Sequence, residues 1–164
     1  MRGEHRMRVE QLLREAAAER AELLARLEPA VRASLPVDAQ GLTRAIDHLA
    51  AAAGLSESER RALVRPHALN PAVLHARIFG AQPLARETVI AAFVEGARVR
   101  ADALTALADR IGGPALGEEI RRILVDSPPP AGARGEAVTR SLRATYAAQE
   151  RAALALAGAL DRRA

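Results

Sequence analysis

Four histidines, His5, His48, His67 and His75, are the only imidazoles in the chain, and there is no cysteine to join them as a ligand or nucleophile. His67 and His75 flank Asn70-Pro71, a helix cap followed by a first-turn proline, so no single helical face gathers them. Neither Glu-x-x-His nor His-Glu-x-x-His occurs. That removes the spacings by which helices present di-iron and zinc ligands. Covalent catalysis finds no thiol, no lysine for a Schiff base and no Gly-x-Ser-x-Gly elbow. Glu118 and Glu119 are adjacent and leave a helix in different directions, so they do not form an acid/base dyad. The expectation is therefore no catalytic residue, no cofactor and no metal.

Two places keep charge where it could bind something. The first is Arg100, which by the 100° step of a helix falls inside an apolar arc. An arginine there pairs across the bundle, runs its stem along a seam with the head near water, or marks an interface. The second is residues 45–65, AIDHLAAAAGLSESERRALVR. A helix ending in Ala-Ala-Ala-Gly-Leu-Ser and followed by a short helix resembles the helix-turn-helix of bacterial DNA-binding regulators. Ala50, Gly54, Leu55 and Leu63 stand where that motif has a small residue, the turn glycine and two core residues. The resemblance covers about an eighth of the chain. It implies that the second helix enters the major groove, with Arg60, Arg61 and Arg65 near bases or phosphates. Two residues depart from the pattern. Arg60 stands where the second helix packs an apolar residue on the first, and Glu57 and Glu59 would meet phosphates at the leading turn. The plainer reading is a structural hairpin with a good cap.

These side chains must be positioned by helices. Alanine, leucine, arginine and glutamate are good helix formers, and only three residues are aromatic: Phe79, Phe93 and Tyr146. The fold class is all-α: three long helices, about 4–34, 83–111 and 136–162, with three or four short ones, in a single domain spanning 1–164. In the stretch from Pro83 to Ile111, Ile90, Phe93, Ala97, Ala101, Leu104, Ala108 and Ile111 recur at three- and four-residue steps. A second row, Val89, Ala92, Gly96, Val99, Ala103 and Leu107, widens the apolar arc, which makes this the central helix. Gly112 and Gly113 offer its left-handed stop, and Pro114 starts a short helix carrying Leu116, Ile120, Ile123 and Leu124. The first helix, with a stripe through Val9, Leu12, Leu13 and Ala16, is expected to pack on the central one. Residues 36–41 read as a turn before a second helix that Gly54 closes. Ser56 with Glu59 reads as a capping box. Residues 126–135, DSPPPAGARG, form a stiff connection within the domain. On the last helix Val138, Leu142, Thr145, Tyr146, Gln149, Ala153, Leu156 and Leu160 share one face.

Bulk charge adds little. All 24 basic residues are arginine against 20 acids, a formal charge of +4 with a sequence pI near 11.0. Arginine titrates so high that a small excess raises the pI sharply, and the charge is spread evenly along the chain rather than gathered as DNA steering requires. The lack of lysine fits a GC-rich bacterial genome. No apolar segment follows the basic start as in a secretory signal, and the longest uncharged apolar run, 152–160, is about half a membrane span. A cytoplasmic protein with no membrane contact is the default. The function expected is a non-enzymatic helical interaction or assembly protein, a homo-oligomer joined through its first or last helix. The alternatives are a DNA-binding regulator using residues 45–65, and a helical small-ligand binder or enzyme built on Arg100.

Overall fold

A computed structural model describes residues 3–25, 40–64, 86–125 and 136–163, all helix and short turns with no strand among them. The helices are α1 (Glu4–Leu24), α2 (Gln40–Ala52), α3 (Glu57–Val64), α4 (Arg86–Ile123) and α5 (Glu136–Arg163). The all-α class holds, with three long helices and shorter ones between them. The extension of the first helix to residue 34, the short helix after Asn70, His67, His75, Arg65 and the 126–135 connection lie outside the described residues. No described helix is long and apolar enough to cross a membrane.

The central stretch follows its sequence pattern. Phe93, Ala97, Leu104, Ala108 and Ile111 are buried, as are Ala103 and Leu107 of the second row. α4 does not run straight through to Ile123, because Gly113 has φ 70° and ψ −160° and breaks it before Pro114. Beyond the break, Leu116, Ile120 and Leu124 turn back into the same core. The bend brings Asp109 and Arg121 within 3.1 Å of each other. Their bridge passes over Gly117, where an added Cβ would lie 2.0 Å from the Asp109 carboxylate. Gly113 occupies backbone space essentially closed to other residues, so Gly113→Ala is expected to cost about 1–3 kcal/mol in urea unfolding. Gly112→Ala has no such backbone strain; its Cβ would instead press on the Leu116 side chain.

The core joins Val9 of α1, Ala45, Ile46, Leu49 and Ala50 of α2, the buried residues of α4 between 103 and 120 with Leu124 just past its end, and the buried residues of α5 between 152 and 160. α5 packs against α1, α2 and α4, while α3 bridges α2 and α4. The expected packing of the first helix on the central one is thus corrected for the described residues: there α1 lies mainly on α2 and α5. It runs antiparallel to α2, with His5 beside His48 at one end and Ala16 beside Gly41 at the other.

Gly41 also corrects the expected turn at 36–41. It is buried inside the first turn of α2, and a Cβ on it would lie 2.9 Å from the Ala16 Cβ and 3.4 Å from the Leu13 Cα. The glycine is a notch that lets two backbones approach. On the polar strip of α4, Arg98, Asp102 and Asp109 are exposed, while Glu95 and Thr105 are half-buried.

Candidate functional site

Three places concentrate polar chemistry. At the α2–α3 hairpin the local signals act as read. Gly54 has φ 89°, the Leu55 N–H donates to the Ala50 carbonyl at 3.0 Å, and the Gly54 N–H donates to that of Ala51 at 3.0 Å. This is a Schellman termination, with Leu55 turned onto the core. The capping box forms in both directions: the Ser56 N–H donates to Glu59 at 3.1 Å, and the Glu59 N–H donates to the Ser56 hydroxyl at 3.2 Å. The Ser56 backbone N–H, and then its hydroxyl, hold the Glu59 carboxyl below its usual range.

The guanidinium groups of this hairpin are paired within the protein. Arg60 is half-buried and donates through Nε to Asp47 of α2 at 3.1 Å and through a terminal nitrogen to the Leu55 carbonyl at 3.4 Å. It therefore fills the apolar position of the resembled motif with a tie between the two helices. Arg61 is exposed and paired with Glu57 one turn earlier. Glu59 faces Arg110 of α4 at 3.7 Å. Both described arginines of α3 thus have carboxylate partners.

The second place is Arg100. It is 4% exposed, and its guanidinium carbon lies 5.6 Å from the centre of the Tyr146 ring, within cation–π reach. The expected apolar face of α5 is buried at Leu142, Thr145, Tyr146, Gln149, Ala153, Leu156 and Leu160. Within it Gln149 donates to the Ala97 carbonyl at 2.7 Å, one turn from Arg100. The Thr145 hydroxyl donates to the Ser141 carbonyl at 2.9 Å. Arg100, Tyr146 and Gln149 form a polar stripe inside the α4–α5 interface. It fixes register between two helices whose other contacts are mostly alanine and leucine. Arg100 is thus buried, as its place in the apolar arc implies, with its head against an aromatic ring.

The third place was not legible in the sequence. The Nδ1 of His5 lies 3.1 Å from the Nε2 of His48, with ring centres 5.2 Å apart and planes tilted by 49°. Asp161, near the end of α5 and 9% exposed, holds the start of α1. Its two carboxylate oxygens accept the backbone N–H groups of His5 at 2.8 Å and Arg6 at 3.1 Å. A carboxylate against the free N–H groups of a helix start is favoured by hydrogen bonding and by the helix dipole. The capping residue comes from 156 positions away, so no local motif announces it. Among the described residues no group of three or more His, Asp or Glu side chains is placed to hold a metal ion.

No known protein family, characterised protein or solved structure matches the chain.

Burial, and after it the charges of His5 and Arg8, push the His48 ring below its ordinary value of 6.5, while Asp47 and Glu4 pull the other way. Above 6.5 the ring is neutral in folded and unfolded chain alike. As pH falls below 6.5 the unfolded chain takes up the proton first, so stability is lost until the lowered folded value is passed. The melting temperature of the wild type is expected to fall more between pH 7.5 and about 5 than that of His48→Gln, which lacks this titration. Equal slopes in circular-dichroism melts would contradict the assignment.

Proposed function

We propose that the chain is a non-enzymatic α-helical interaction protein that associates with itself through its first helix. The observation that carries this reading is the outer face of α1. Ala17 and Ala21, with Ala25 just past the helix end, are exposed at four-residue spacing and form a smooth row. Beside it the exposed Glu19 is paired with Arg44 of α2, at 3.0 Å. A row of small residues lets a second helix approach closely, and the flanking charges set its direction.

Size-exclusion chromatography with light scattering on wild type and Ala21→Arg tests the reading. The wild type is expected at a multiple of 17.4 kDa and the variant at 17.4 kDa. Concentrations up to about 100 µM reach association free energies near −5.5 kcal/mol, so a monomeric wild type over that range would sink the proposal. Association that survives Ala21→Arg would move the interface to the last helix.

A second reading, a DNA-binding regulator using Arg60, Arg61 and Arg65, is favoured by one observation, the Schellman turn joined to a capping box between α2 and α3. The carboxylate partners of Arg60 and Arg61 weigh against it, since phosphate contact would have to displace Asp47 and Glu57. For a ligand site at Arg100 the corresponding test is Arg100→Leu, which would remove binding of a small anion while the helical signal stays.

A further inference from the structure

The end of the bundle where α1 starts, α2 finishes and α5 finishes carries two imidazoles in contact. His5 comes from the first turn of α1 and His48 from the last turns of α2. Their facing nitrogens are 3.1 Å apart. Two imidazole nitrogens bound to one cation at about 2.0–2.1 Å each stand roughly 2.8–3.4 Å from one another at bond angles between square and tetrahedral. The pair therefore already has the spacing of two ligands of one ion. Both rings are half-buried, which leaves an open side for water while the protein holds the other. Asp161 fixes the backbone of His5 through its own N–H, so the first helix cannot rotate the ring away without losing that cap.

We propose that His5 and His48 form a two-imidazole site for a divalent late-transition cation, with water completing its coordination. Imidazole donors suit Zn²⁺, Ni²⁺ and Cu²⁺, and with no thiolate present the order of affinity follows the general series, with Cu²⁺ tightest. Binding replaces the hydrogen bond between the rings by two metal–nitrogen bonds, and the ring that donated it carries its proton on the outer nitrogen instead, so both imidazoles ligate as neutral rings. Arg8 opposes the added charge and Asp47 and Glu4 offset it, since all three act on His48. The site clamps α1 to α2, so metal should stabilise the bundle and its binding should weaken as pH falls and the rings protonate.

The test uses untagged full-length protein carrying His67→Gln and His75→Gln, so that His5 and His48 are the imidazoles left. Titration calorimetry with Zn²⁺ and with Ni²⁺ is expected to give one ion per chain. The melting temperature should rise with metal and return on chelation. His5→Gln and His48→Gln, each checked for an unchanged helical signal, should each weaken binding tenfold or more. A titration without heat or thermal shift would overturn the proposal, and so would the same isotherm in both single variants. If His48→Gln fails to fold, His5→Gln decides alone.

Discussion

Replacing Gly41 with leucine is expected to lower the melting temperature by roughly 6–12 °C, from a loss of about 3 kcal/mol in a chain of this size. The reason is the notch. Even a methyl group at Gly41 would meet the Ala16 Cβ at 2.9 Å, and neither partner can swing aside because one is a Cβ and the other helical backbone. A leucine must push α1 off α2, disturbing the contact that buries Leu12, Ala16 and Leu42. Alanine at the same position has two opposed effects. It gains about 1 kcal/mol of helix propensity over glycine and loses a comparable amount to overpacking. Gly41→Ala combined with Ala16→Gly moves the notch to the other helix. The pair should be more stable than the sum of the two single changes, with a coupling of about 0.5–3 kcal/mol in a double-mutant cycle. A leucine variant as stable as wild type in urea would mean that α1 and α2 do not meet there.

The second large effect is expected at Leu156, which is 0% exposed and sits in the cluster shared by all four core helices. Leu156→Ala should cost about 2–5 kcal/mol, the removed side chain plus the cavity it leaves. Leu154, two residues earlier on the same helix, is only half-buried, and its alanine variant should cost about 1 kcal/mol or less by the smaller area withdrawn from water. Both changes alter intrinsic helix propensity alike, so the difference between their urea midpoints reports packing alone. Equal losses would put α5 in a different rotation against α4.

What could be read from the sequence is what depends on short spacing. The Ser56–Glu59 box, the stop at Gly54, the break at Gly113 and the buried face of α5 are all set by residues within a few positions of each other. Arg100 belongs to the same class as far as its burial goes, because the helical step alone places it in the apolar arc. Its companion Tyr146 lies on another helix, and no pattern along the chain points to it. Gly41 departs from its local pattern for a related reason. A glycine after proline and aspartate reads as a turn, and only the distant Ala16 shows that it serves helix contact instead. The His5–His48–Asp161 junction joins three chain regions through hydrogen bonds between distant positions. Each of these residues taken alone looks like an ordinary surface polar group. Arg60 lies between the two classes. The sequence marks it as a misfit in a DNA-reading helix, and Asp47, one helix away, supplies the tie that makes it fit a hairpin.

The measurement that bears most directly on the account is fluorescence anisotropy of labelled random duplex DNA titrated with the full chain at two salt concentrations. The account holds that the α2–α3 guanidinium groups are committed within the protein and that its binding surface serves another protein chain. It predicts flat traces up to about 100 µM, beyond most non-specific DNA affinities at physiological salt. Saturable binding that weakens steeply between the two salts would contradict it, and would make residues 45–65 a DNA-reading element.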